Sequence, residues 1–95
     1  MTNIEVCNAF ANGMVAHNLN MSSTGIKLFS YSTIIAQRTP KGIILNGCKY
    51  STTTSKQQTY ARRALEKKGI AYTEVNDYIC RGTSDLTRYL RKEAA

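Results

Sequence analysis

The chain has 95 residues, of which 42% are hydrophobic and 20% are charged, and it carries a formal net charge of +7. This length suits a single domain over residues 1–95 with one hydrophobic core, and the composition excludes a disordered tail. No apolar run approaches the ~18 residues of a membrane-spanning helix, so we expect no membrane partner, and the positive charge favours an anionic one.

The first segment predicts a short amphipathic helix near residues 4–13. Its apolar residues recur at intervals of three and four, which places them on one helical face: Ile4, Cys7, Phe10, Ala11 and Met14. Thr2 or Asn3 can cap the first turn. A secretory signal contains an uninterrupted apolar run, whereas polar residues interrupt the apolar positions of this segment. We therefore expect a cytoplasmic protein. Residues 15–25 then suggest a strand that leads into a turn.

The strongest β signal lies within residues 26–50. The run IKLFSYSTIIAQ at 26–37 is rich in β-branched and aromatic residues, and Pro40 and Gly42 have the spacing of a tight turn. Residues 43–45 then form a second strand that runs back beside the first. The pattern predicts a β-hairpin, with Asn46-Gly47 forming either a bulge or a second turn.

The best-defined helix is predicted over residues 55–68. Ser55 and Gln58 have the spacing of a capping box, and Gly69 is a preferred residue at a helix C-terminus. At about 100° per residue, one side of this helix gathers the core candidates Tyr60, Ala61, Ala64 and Leu65. The other side carries a stripe of cations within about 40° of arc, namely Lys56, Arg63 and Lys67.

The C-terminal third predicts one more strand and one more helix. Residues 70–75 alternate as a strand does, and Thr83 or Ser84 can cap a final helix near residues 84–93. The whole pattern predicts an α+β fold, in which a small antiparallel sheet of three to four strands packs with two to three helices.

A candidate anion site lies where the middle helix begins. Hydroxyl side chains, free backbone N–H groups and one lysine are concentrated there, and such groups hydrogen-bond phosphate oxygens. The glycines of a P-loop are absent. The candidate phosphate or nucleic-acid contacts are Ser51, Thr53, Thr54, Ser55, Lys56, Tyr60, Arg63 and Lys67.

Each half of this candidate site has an alternative that needs no ligand. The threonines can extend a strand while Ser55 only caps the helix. The cations can form a solvated helix face, with Arg62 and Glu66 paired across one turn.

Catalytic and metal-binding patterns are weak. His17 is the only histidine, the three cysteines are widely spaced, and the acidic residues are scattered. We therefore expect no enzyme, no metal ion and no cofactor. A nucleophile formed by a cysteine and His17 stays as an alternative, although each cysteine suits a reduced, partly buried thiol.

Two segments carry a resemblance to a group of proteins. LFSYSTIIA at 28–36 and ILNGCKYSTTTSKQQ at 44–58 resemble small proteins of unknown function that bacteriophages and mobile elements encode. In those proteins an SY-T-IA strand precedes a YS-TTSKH segment and a helix, and Gln57 stands here at the position of the histidine. The resemblance implies either the handling of nucleic acid or nucleotides, or the blocking of a host defence component, in the host cytoplasm.

These observations favour a basic binding protein without catalytic activity. The leading expectation is that the start of the middle helix and its cationic stripe bind nucleic-acid phosphates. The alternative is an inhibitor of a host defence complex, of the anti-CRISPR or anti-restriction type, which binds an acidic host protein or nucleoprotein complex.

Overall fold

A computed structural model describes residues 1–48, 50–76, 79, 83, 85 and 86. These residues form two helices and a six-stranded mixed sheet. The elements are α1 (Asn3–Ala11), β1 (Val15–His17), β2 (Met21–Thr24), β3 (Lys27–Ser30), β4 (Thr33–Thr39), β5 (Gly42–Asn46), α2 (Thr52–Lys67) and β6 (Tyr72–Val75). Cys80 and the predicted helix at 84–93 lie outside the described residues, apart from Asp85 and Leu86.

The N-terminal helix is confirmed, with a capping box that the sequence analysis missed. The Oγ1 atom of Thr2 accepts the N–H of Glu5, and the N–H of Thr2 donates to Glu5 Oε1 at 2.9 Å. These bonds lower the pKa of Glu5. The predicted apolar face is wrong at both ends, because Ile4 and Met14 are 52% and 60% exposed while Val6 is buried.

The sheet has more strands than the sequence predicts, because two predicted strands are each divided by a turn. The segment at 15–25 forms the hairpin of β1 and β2, whose turn is held by Asn18 Oδ1, which accepts the N–H groups of Asn20 and Met21. The segment at 26–37 is divided between β3 and β4 by a turn that contains Tyr31 and Ser32. Tyr31 has a φ of +54°, a left-handed conformation that few non-glycine residues adopt.

The predicted hairpin around Pro40 is confirmed, but the sheet is not purely antiparallel. β4 and β5 pair in antiparallel register from Ala36↔Leu45 to Thr39↔Gly42. The strands follow one another in sequence order, and only the last pair, β5 with β6, is parallel. The reason is α2, which carries the chain back along the sheet so that β6 starts at the same end as β5.

The middle helix begins three residues earlier than predicted. Its N-cap is Ser51, whose backbone is extended (φ −144°, ψ 169°) and whose Oγ accepts the N–H of Thr54. The predicted capping box of Ser55 and Gln58 is wrong, because Ser55 is already helical and its N–H donates to Ser51 O at 2.9 Å. The threonine run therefore forms the first turn of α2 and does not extend a strand.

The predicted end of this helix at Gly69 is confirmed. Gly69 has a φ of +73°, its N–H donates to Glu66 O, and the N–H of Ile70 donates to Leu65 O at 2.9 Å. This pair of bonds is a Schellman motif, which glycine favours because the left-handed residue carries no Cβ.

Apolar residues are buried on both faces of the sheet. Alternate residues of β5 point to opposite faces, so Ile43 and Leu45 join the core cluster beneath the two helices while Ile44 joins a second cluster. Ile79 and Leu86 cover this second face. The side chain of Gln37 holds Asp85 and Leu86 against the sheet, because its Oε1 accepts the N–H of Leu86 and its Nε2 donates to Asp85 Oδ1 at 2.9 Å.

Neither helix of the described chain is long and apolar enough to cross a membrane.

The start of α2 can be tested by a matched pair of substitutions. We expect Ser51→Ala to lower the free energy of unfolding by about 1 kcal/mol, because the N–H of Thr54 loses its acceptor. Ser55→Ala removes the same hydroxyl from within the helix and should change that free energy by less than about 0.5 kcal/mol. Urea unfolding followed by circular dichroism measures both. A loss at Ser55 as large as that at Ser51 would contradict the assigned cap.

Candidate functional site

The three cations predicted to align on α2 do so, and all three are exposed. Lys56, Arg63 and Lys67 lie on the side of the helix that also carries Thr53 and Tyr60. The prediction that Tyr60 lies on the other side is wrong, because Tyr60 lines the same space as Arg63 and Lys67. Successive members are three or four residues apart, which keeps the set within about 80° of arc over about 21 Å of helix. We call the residues Lys56, Tyr60, Arg63 and Lys67 the cationic flank.

The carboxylates near α2 are engaged in contacts between this helix and β6. Arg62 Nε forms an ion pair with Glu74 Oε1 at 2.7 Å, and Tyr72 Oη donates to Glu66 Oε2 at 2.7 Å. The bond to Glu74 raises the pKa of Arg62, and the bond to Glu66 raises the pKa of Tyr72. The pairing of Arg62 with Glu66 considered from the sequence is therefore replaced by contacts from α2 to β6. Within the described part of the chain, no ion pair involves the cationic flank.

A groove between α1 and α2 runs beside the cationic flank. Ile4 and Asn8 of α1 face Tyr60, Arg63 and Lys67 of α2 across a space of about 110 Å³. The groove continues towards Asn12 and Lys68, where it widens to about 300 Å³. Its walls therefore combine amide side chains on α1 with ammonium and guanidinium groups on α2, and both kinds of group donate hydrogen bonds.

A second concave surface lies at the start of α2, and we call it the hydroxyl cleft. It encloses about 370 Å³ between two walls. One wall is the turn between β3 and β4, and the other is the first turn of α2 with its cap. The lining residues are Ser30, Tyr31, Ser32, Thr33, Ser51, Thr53 and Thr54. The first wall was not predicted from the sequence, although the hydroxyl residues within 30–33 were a signal for it.

The structure divides the predicted site residues between these surfaces. Ser51, Thr53 and Thr54 line the hydroxyl cleft, while Tyr60, Arg63 and Lys67 line the groove. Lys56 is exposed on the flank between them. Ser55 lines neither, because the helix turns its side chain about 100° beyond that of Thr54. Tyr60 is half-buried and packs against the core, so little of its ring is free to stack on a base.

The Cys7 thiol and the His17 imidazole lie in separate surroundings. Burial raises the pKa of the Cys7 thiol to about 12, which is the opposite of the change that a nucleophilic cysteine needs. His17 lies in a different depression, beside Asn18 and Leu19 on the β1–β2 turn. No group of three or more metal-ligating side chains occurs in the part of the chain that the structure describes.

Comparison with known protein families identifies a domain family that covers most of the chain. Residues 5–79 match the model of a domain family described as "Family of unknown function (DUF8033)". The matched segment contains the cationic flank, the groove and the hydroxyl cleft, apart from Ile4 in the groove. No curated protein and no solved structure is significantly similar to the chain.

The state of Cys7 can be tested by alkylation. We expect its thiol to resist iodoacetamide in the native protein, because a pKa of about 12 leaves almost no reactive thiolate at mildly alkaline pH. In urea the same cysteine should react as an ordinary thiol does. Peptide mass spectrometry follows Cys7 separately from the other cysteines. Labelling of Cys7 at equal rates in the native and unfolded protein would contradict its burial.

Proposed function

The chain belongs to the family of unknown function whose model spans residues 5–79, and we propose that it is a non-enzymatic binding protein that holds nucleic-acid phosphates along the cationic flank of α2. The observation that carries this proposal is the excess of exposed positive charge on that helix. The carboxylates of Glu66 and Glu74 are engaged by Tyr72 and Arg62, and the three cations of the flank are exposed and form no ion pair among the described residues.

The length of the flank suits a nucleic-acid backbone. From Lys56 to Lys67 the helix rises about 17 Å, which equals about five nucleotide steps of a B-form strand at 3.4 Å each. Lys56, Arg63 and Lys67 are distributed along this length and project from one side of the helix. A flexible ammonium or a guanidinium group can reach a phosphate from each position without a fixed sequence of bases.

The groove beside the flank gives a backbone further contacts. Asn8 of α1 and Asn12 at the C-cap of that helix lie across from cations of α2, so amide groups and cations line opposite walls, although the Asn12 amide also donates to Asn8 O at 3.0 Å. Side-chain amides and cations are among the groups that commonly hydrogen-bond phosphate and sugar oxygens. None of the described residues that line the groove is a carboxylate, so none of them repels an anionic backbone.

Two neighbouring arginines make a matched test of this proposal. Arg63→Ala removes a cation from the flank, whereas Arg62→Ala removes the same charge from the side that faces Glu74. With three phosphate contacts to a single strand, the affinity should fall roughly twentyfold between about 50 and 200 mM salt. We expect Arg63→Ala to weaken binding and to reduce the salt slope by about 0.7, and Arg62→Ala to leave the slope unchanged.

Fluorescence anisotropy with a labelled single-stranded oligonucleotide measures both quantities. An affinity that is independent of salt would contradict the proposal, and so would equal losses in the two variants. A chain that ignores DNA and RNA but retains one host protein after nuclease treatment would overturn it in favour of the inhibitor considered from the sequence.

A further inference from the structure

The exposed apolar side chains of the protein are concentrated in its first 26 residues, which contain no lysine or arginine. All 13 basic residues lie at position 27 or beyond, and the only acidic residue before that position is Glu5. Among the described residues, seven large hydrophobic side chains are exposed. Six of the seven lie within residues 1–26, namely Met1, Ile4, Met14, Val15, Leu19 and Ile26. The end of the molecule that contains α1, β1 and β2 is therefore apolar and nearly uncharged.

The strand at the edge of this surface has unpaired backbone groups. β1 is the first strand in the order of the sheet, and no strand of the described chain lies beyond it. The N–H of Asn18 donates to Met21 O at 2.9 Å, which makes these two residues a hydrogen-bonded pair next to β1. Bonded and unbonded pairs alternate in an antiparallel ladder, so Ala16 bonds to β2 while the N–H and C=O groups of Val15 and His17 point away from it. No hydrogen bond from another described residue reaches these outward groups.

This edge lacks the charge, the proline and the bulge that commonly protect a sheet edge. Such features prevent unpaired N–H and C=O groups from pairing with a strand of another molecule. The outermost side chain of β1 is instead an exposed valine, Val15, which is 75% exposed. The register of β1 with β2 is uninterrupted from Val15↔Thr24 to His17↔Ser22. The edge is thus regular, apolar and open to a further strand.

We propose that β1 pairs with β1 of a second copy of this chain, in antiparallel register about a twofold axis at Ala16. This inference goes beyond the proposed function and does not depend on it. In this register Val15 of one copy lies opposite the partner's His17, and the two residues exchange both of their N–H···O bonds. The twofold axis repeats the exchange, so all the outward groups of both strands are used.

The charge of the chain argues for a second copy as the occupant of this edge. A symmetric contact brings the same patch together from both copies, so the patch must be complementary to itself. Two chains of net charge +7 repel each other wherever their cations meet, and the β1 edge is where they can approach without cations. An anionic partner, by contrast, finds no lysine or arginine to bind there.

The exposed apolar side chains beside β1 also match in this register. Leu19, in the turn after β1, is 96% exposed, and Met14, just before β1, is 60% exposed. Because the paired strands run in opposite directions, the turn of one copy lies at the level of the partner's Met14. The contact occurs twice, and it removes apolar surface of both copies from water.

The pairing has a consequence for the arrangement of the helices. Ala16 lies opposite Ser23, so it points to the same face of the sheet as Met21, which belongs to the core cluster beneath the helices. Residues opposite each other in a strand pair point to the same face, so both copies carry their helices on one face of a continuous sheet. The dimer therefore presents two cationic flanks on that face.

Sedimentation equilibrium of the full chain, after nuclease treatment and at physiological ionic strength, tests the dimer. We expect the measured mass to rise from that of one chain towards twice that value between about 1 and 100 μM, because a contact between short strands is at the small end of specific interfaces. Val15→Lys should keep the mass at that of one chain, because it introduces a like charge from each copy into the contact. Thr73→Lys is the matched control, since it adds the same charge to an exposed position of β6 at the opposite edge, and it should dimerise as the original chain does.

Amide hydrogen exchange followed by NMR identifies the paired strand. The N–H groups of Val15 and His17 should exchange about tenfold more slowly when about nine-tenths of the chains are dimeric, because only the monomer exposes them. The N–H of Ala16, already bonded to β2, should change less.

Four results would overturn the proposal. They are the mass of one chain at every concentration, a dimer that persists in Val15→Lys, an equal loss of the dimer in Thr73→Lys, and a dimer in which the exchange of Val15 and His17 is unchanged. Each of them leaves the salt-dependent binding of nucleic acid untouched, so the two proposals fail separately.

Discussion

Hydrogen bonds from two buried carboxamides, Asn46 and Gln58, fix the beginning of α2 against the sheet. Gln58 Nε2 donates to the carbonyl oxygens of Asn46 and Cys48, at 2.7 and 2.8 Å. Asn46 Nδ2 in turn donates to Ile34 O on β4 and to Tyr50 Oη. Because these bonds join strand, loop and helix, the first turn of α2 lies beside the β3–β4 turn. The hydroxyl cleft and the direction of the cationic flank both depend on this arrangement.

The side of α2 that faces β6 explains why the cationic flank is free of carboxylates. The pair of Arg62 and Glu74 is about one-third exposed, so its direct contribution to stability is at most about 1 kcal/mol. Its larger effect is positional, since it engages the Glu74 carboxylate at Arg62, about 100° around the helix from Arg63. The bond from Tyr72 engages the carboxylate of Glu66, which is three residues along the helix from Arg63. Neither carboxylate pairs with the cationic flank, so the exposed surface of α2 carries more positive than negative charge.

The sequence predicted those elements whose boundaries are marked by local chemistry. The α+β class, α1, the hairpin at Pro40 and the end of α2 at Gly69 follow from periodicity, proline and glycine, and the structure confirms them. The turn at Tyr31 could not be predicted, because a tyrosine with positive φ is held there by its tertiary surroundings and not by its own preference. Because this turn was not predicted, the sequence of β3 and β4 was interpreted as a single strand.

Local sequence patterns also predicted part of the candidate site. The spacing of Lys56, Arg63 and Lys67 fixes their common side on any helix, so the alignment of these three cations followed from the sequence alone, although Tyr60 was predicted on the other side. The cap was misplaced because Ser51 and Ser55 are both good caps, and only the extended backbone of Ser51 distinguishes them. The roles of Gln57 and Gln58 were hidden, since polar residues on a helix are ordinarily exposed and these two are buried.

The rigid support of α2 affects which features of a nucleic acid the protein can discriminate under the proposed function. The helix is fixed at its start by Ser51 and the carboxamides and at its end by the Schellman motif at Gly69, so its cations are attached to a backbone that needs little ordering on binding. Contacts from such cations to phosphates carry no information about base sequence. Under the proposed function, selectivity must therefore come from a feature other than the bases along the flank.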